Sequence, residues 1–270
     1  LLIIKVVFRQ RWTSSPNDCA MSFIEYSTFQ IISIFATYLL AGTGKGITGL
    51  GFSTICLPLL ALSVGLKDAL PLVIIPSVCS NIMVMIGVGN FVPAVKRFWP
   101  MLLATVPGLI LGLWLLDAFD GETAGAILGL VLLAFCLFSY VNPNYHLPAK
   151  LEAPLSPLSG FMTGTFNGIT GSQVMPSMPF LMSLGLERNL FIQSINCSFT
   201  LSSFIMAFGL TQLGLFSTQA LIISICGVAA AFFGVRLGER IRSRLSPEQF
   251  RNAILALLVV MAIILIIKAV

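Results

Sequence analysis

Lys45 is the only charged side chain in the middle of an apolar segment, and it stands inside the run Gly42-Thr-Gly-Lys-Gly-Ile-Thr-Gly-Leu-Gly51. An ionisable group at such a place is rare and usually tied to function. Its chemistry would be the attraction or binding of an anion. The plainer readings are a lysine that snorkels to an interface or one held neutral by burial. Gly-Ile-Thr-Gly recurs at Gly168–Gly171, with Phe166 or Asn167 near the place of Lys45. Uncharged hydrogen-bonding side chains surround both copies: Thr48, Ser53 and Thr54 in the first, Asn167, Thr170, Ser172 and Gln173 in the second. Gly46, Gly49, Gly51, Gly168 and Gly171 would let a solute approach the backbone closely. Half-helices starting near residues 49–51 and 171–173 would aim the positive ends of their dipoles at that solute. Gln193 adds polarity on one side. These residues form the expected substrate site. The plainer reading of the glycines and small hydroxyls is close packing of helices.

No other chemistry has the residues it needs. All ten Asp and Glu sit in tails, loops or at segment ends, which counts against a carrier that coordinates cations through buried carboxylates. His146 is alone, and the six cysteines show no CxxC spacing, so they read as reduced, buried thiols. No catalytic group, metal site or cofactor is expected. Basic residues are scattered over short loops rather than gathered into a stripe for nucleic acid.

The elements that must position these residues are apolar. Hydrophobic residues make up 57 % of the 270 positions and charged residues 9 %, against about 45–50 % and about 25 % in soluble domains. The fold expected is an all-α polytopic membrane protein. Apolar segments run over 28–64, 69–92, 98–117, 123–141, 157–184, 190–210, 217–237 and 250–268. A spanning helix needs about 20 apolar residues, so 28–64 is too long for one span and 157–184 too short for two. Both carry a glycine cluster at their centre.

Each is therefore expected to be a glycine-broken re-entrant hairpin, followed by three transmembrane helices. The chain then consists of two inverted internal repeats. Inversion also gathers Lys96, Arg97, Lys150, Arg188, Arg240, Arg242, Arg244 and Arg251 on one face, as the bias of basic residues toward the cytoplasm requires. The divisions expected are a tail over 1–27, a first repeat over 28–141, a linker over 142–156 and a second repeat over 157–270. Residues 1–20 differ in composition from the rest, and Met21 reads as the native start. Pro107 to Gly112 and Ala229 to Gly234 are read as matching stretches of the two halves, and Pro71, Pro76 and Pro107 as helix bends.

From Thr28 to Val270 the chain resembles the sulfite exporter TauE/SafE family of bacterial membrane permeases. The resemblance is carried by the Gly42–Gly51 run with Pro58, by Asn167-Gly-Ile-Thr-Gly171 with Pro179, by the Gly65-Leu66 and Gly185-Leu186 turns and by Gly234-Val-Arg-Leu-Gly238. Many members have a denser glycine run at the first break, which Lys45, Ile47 and Thr48 interrupt here. The resemblance implies a permease of the bacterial cytoplasmic (inner) membrane that moves sulfite, a sulfonate or a related organic anion. The partners expected are a small anionic solute and the lipid bilayer, with a homo-oligomer left open. The alternative is a non-transporting membrane protein that packs against another complex through its glycine stretches.

Overall fold

The structure, a computed structural model, describes residues 26–48, 51–141, 146–242 and 247–268. The tail with its start at Met21, together with Gly49, lies outside them. The described residues are helical, with no strand among them. In chain order the helices are α1 (Thr28–Thr48), α2 (Phe52–Val64), α3 (Leu66–Val88), α4 (Phe91–Ala118), α5 (Gly121–Val141), α6 (Ala149–Thr170), α7 (Ser177–Ser183), α8 (Arg188–Gln212), α9 (Thr218–Arg242) and α10 (Pro247–Lys268). Of the described helices, α1, α3, α4, α5, α8 and α9 are long and apolar enough to cross a bilayer. The chain is a multi-pass membrane protein.

Both glycine clusters break the helix they interrupt. Gly51 takes a left-handed φ of 84°, which a side chain would resist, and α2 starts at the next residue. α2 then runs back along α1: the Tyr38 ring stacks on Phe52 at 6.4 Å, and Gln30 Nε2 donates to Ser63 O at 3.5 Å. This hairpin begins and ends at one end of the bundle.

The second break is longer. Gly171, with a φ of 75°, closes α6, and α7 starts only at Ser177, after Pro176. The half-helix expected to begin at 171–173 is thus displaced, and it has seven residues. The prolines are the physical reason, since Pro176 and Pro179 admit only a late, short helix. Leu147 N donates to Ser183 O at 2.7 Å, so this hairpin too begins and ends at one end.

That end is opposite to the first. α3 starts where α2 finishes and runs across the bundle to α4. Arg97, near the start of α4, grips Glu152, near the start of α6, through two bonds of 2.7 and 2.9 Å. Lys96, Arg97, Lys150, Arg188, Arg240 and Arg242 lie toward the end where the second hairpin opens. Lys67 and Lys268 meet at the other, beside Asp68 and Glu122. Basic residues are thus concentrated toward one end of the bundle.

Two seams join the halves. α4 packs most extensively along α6, and α9 along α1. Small residues let these backbones touch. A Cβ added at Gly108, Gly112, Gly160 or Gly164 would strike a carbonyl of Phe161, Thr165, Met101 or Thr105. At Gly42, Gly46, Gly234 and Gly238 it would strike Ala231, Val235, Leu39 and Thr43. In one seam Gly108 and Gly112 meet Phe161 and Thr165, and in the other Gly234 and Gly238 meet Leu39 and Thr43. Apolar helices offer many registers by pattern, and backbone contact selects one.

Two further boundaries differ from expectation. α6 begins at Ala149, so residues 149–156, read as linker, form its first turns. Ala149-Lys-Leu-Glu-Ala153 are good helix formers, and the Arg97 pair fixes Glu152. In α4 the backbone leaves helical values at Phe98 (φ −107°, ψ 17°), ahead of Pro100, rather than at Pro107. Cys226 is exposed on the outer surface, unlike the buried Cys56, Cys136 and Cys197.

Candidate functional site

A cavity lies where the two hairpins meet. Ser53 of α2, Ser77 of α3, Asn167 and Gly171 at the end of α6, Gln173 in the second break and Ser203 of α8 supply its polar wall. Leu57, Leu70, Val73, Ile74 and Met206 close it with apolar surface. Local bonds hold the break open. Thr170 Oγ donates to Phe166 O at 2.7 Å and accepts from Ser172 N at 3.1 Å, while Thr163 Oγ accepts from Ser177 N at 2.9 Å. Irregular backbone at membrane depth is tolerated where it is buried in protein or lines a cavity.

The wall is incompletely satisfied. Ser53 and Ser77 share a hydrogen bond of 2.7 Å, and Gln173 Nε2 donates to Ser203 Oγ at 3.1 Å. Asn167 has no exposed surface, yet neither its Oδ1 nor its Nδ2 has a protein partner. Gln173 Oε1 and Ser172 Oγ are also unpartnered. Each unmet buried polar atom costs about 1–3 kcal/mol.

Lys45 occupies a separate position one helical turn along α3. It is 1 % exposed. Its Nζ donates to Asn81 Oδ1, to Ser80 Oγ at 3.1 Å and to Asn196 Oδ1 at 3.5 Å. Ser80 Oγ passes its own proton to Ser77 O at 2.9 Å, which links this cluster to the cavity wall. Lys45 does not itself line the cavity; the place expected of it there is taken by Asn167, its counterpart in the second half.

The remaining expected residues divide. Gly171, Gln173 and Asn167 come together at the cavity. Ser172 is buried in the break, and Thr170 shapes the turn. Gly46 and Gly168 face the seams, against Val235 and Gly112, and serve packing there. Thr48 is exposed and donates to Gly44 O at 2.9 Å. Thr54 is buried on α2, and Gly51 sets the turn before it. Gln193, with its amide nitrogen toward α3, donates to Gly89 O at 2.7 Å and Met85 O at 3.2 Å. It caps the end of that helix and leaves the cavity to others.

Ser77 and Ser203 were missed as site residues. A signal for them exists: Ser77, Ser80 and Asn81 fall at i, i+3 and i+4, and Asn196 and Ser203 are seven apart, so each set shares a helix face.

Among the described residues no three His, Cys, Asp or Glu come close enough to hold a metal ion. A model of the family described as sulfite exporter TauE/SafE matches residues 34–265, which include both hairpins, the cavity wall and Lys45. The chain belongs to the sulfite exporter TauE/SafE family. Comparison with curated proteins and with solved structures gave no match. In this TauE/SafE chain the two stretches that carried the resemblance are the two places where a spanning helix is broken.

Proposed function

We propose that the chain is a secondary transporter of a small anion, such as sulfite, a sulfonate or a related organic anion, in the bacterial cytoplasmic membrane. One observation carries this reading: a small, largely apolar cavity between two broken helices, walled by both halves, with a wholly buried Asn167 amide left unpartnered in its wall. The two halves act as inverted repeats and rock against each other along the glycine seams. That reading is supported by hairpins opening at opposite ends and by first and fourth helices that exchange partners between halves. Ser53 and Ser77, from the first half, hold one side of the solute. Asn167 holds the other through its Nδ2, a donor that no group among the described residues satisfies.

The alternative, a non-transporting partner of another complex, needs free packing surfaces. Gly42, Gly46, Gly108, Gly112, Gly160, Gly164 and Gly168 already pack within the chain. Labelled sulfite and simple sulfonates, offered to proteoliposomes holding the purified chain, test the transport reading. The expected result is saturable flux that falls about tenfold or more in Asn167→Leu, which fills the cavity and removes its donors. Absence of protein-dependent flux for every probe would overturn the proposal.

A further inference from the structure

The partners of the buried Lys45 amine are all uncharged. Three oxygen atoms face the amine, and none can give it a proton. The Asn81 and Asn196 Oδ1 atoms accept only, and Ser80 spends its proton on Ser77 O. Asn196 is fixed in that orientation because its Nδ2 donates to Ile192 O at 2.7 Å. Asn81 Oδ1, Ser80 Oγ and Asn196 Oδ1 are all placed as acceptors for the protons of an ammonium.

No carboxylate is among the partners of Lys45. The acid on the adjoining stretch of α9, Glu239, is half exposed and paired with Arg236 at 3.4 Å. A buried cation of this kind demands a counter-charge. Beside it, Asn81 Nδ2 is buried and has no protein partner, a donor in place for an acceptor that the protein does not supply.

Resting on the transport reading above, we infer that Lys45 and Asn81 form a station for the transported anion and restrict it to a single negative charge. One ammonium neutralises a monoanion. A dianion at the same depth would leave one charge unmet, because the other hydrogen-bonding groups of the interior (Asn167, Gln173, Ser53, Ser77) are neutral. The solute class is therefore the singly charged oxyanion: a monosulfonate, or sulfite in its hydrogen-sulfite form. Ser80 and Ser77, adjacent on one face of α3 and joined by the 2.9 Å bond, connect this station to the cavity wall.

The test uses the full chain in proteoliposomes, with labelled hydroxyethanesulfonate and ethanedisulfonate as probes of similar size and different charge. Hydroxyethanesulfonate is expected to move about tenfold or more faster than ethanedisulfonate. Lys45→Met should lower its flux about tenfold or more. Because Lys45→Met could act by misfolding, Asn81→Asp provides the second arm. It places a permanent counter-charge beside the ammonium and removes the free donor. It should abolish monosulfonate flux while its thermal unfolding in detergent stays at or above that of the parent. Equal flux of the two probes in the parent, or parental flux in Asn81→Asp, would overturn this inference and leave transport standing. Flux of neither probe nor of sulfite would remove both readings.

Discussion

At the scale of single residues, the backbone carbonyl of Leu72 shows how side chains repair what a proline removes. Pro76 has no N–H, so the carbonyl four residues earlier in α3 loses its intrahelical donor. Tyr38 Oη donates to it at 2.8 Å from α1, and Ser224 Oγ at 3.2 Å from α9. Helices from both halves thus close on one atom of α3. Tyr38→Phe or Ser224→Ala alone leaves one donor, and each is expected to cost about 0.5–1.5 kcal/mol of stability. The double variant orphans a buried carbonyl and should cost more than the sum. Denaturant unfolding of the four proteins in detergent measures that coupling, and plain additivity would refute the shared-acceptor account. The same scale shows what was legible in advance. Lys45 and Asn167 announced themselves because an amine and an amide are conspicuous in apolar runs. Their division of labour was hidden, since which of them meets the cavity depends on how α1 and α6 seat against α3 and α8. Ser77 and Ser203 were hidden for a different reason: serine is common at helix contacts and carries no charge to mark it.

At the scale of elements, the glycine clusters held two roles that composition could not separate. Gly51 and Gly171 end helices at left-handed φ values, while Gly46 and Gly168 lie against another backbone. The breaks were legible because segments 28–64 and 157–184 had lengths that fit no whole number of spans. Their unequal shapes were not, because Pro176 acts only once the chain has committed to a direction after Gly171. Substitution separates the roles. In Gly42→Ala and Gly164→Ala the new methyl must displace the carbonyl of Ala231 or Thr105, and a loss of about 1–3 kcal/mol is expected. Gly87→Ala, on an exposed face of α3 with open space around it, should be neutral or gain up to about 1 kcal/mol from helix propensity. Melting temperatures of the three variants decide the matter. Equal tolerance at all three positions would mean that the seams are looser than their backbone contacts imply.

At the scale of the whole molecule, the two hairpins and the distribution of charge are one statement about sidedness. A hairpin that returns to its own face shifts the orientation of every helix after it, so Arg188 shares a face with Lys96, Arg97 and Lys150 only if the second hairpin returns, and the first hairpin decides whether Ser27 and Lys67 share the other. The alternative, with α1–α2 and α6–α7 each crossing once, sends the flanks of each pair to opposite faces. Cysteine accessibility in a background without native cysteines distinguishes the two. Ser27 and Lys67 flank the first hairpin, and Lys150 and Glu187 flank the second. With both hairpins re-entrant, cysteines at Ser27 and Lys67 react with an impermeant maleimide added to intact cells. Cysteines at Lys150 and Glu187 react only after the membrane is opened. The outcome that breaks the fold's logic is a split within either pair. The seams then could not join a first helix of one half to a fourth helix of the other running in the same direction, and the cavity would lose the wall that the second half provides.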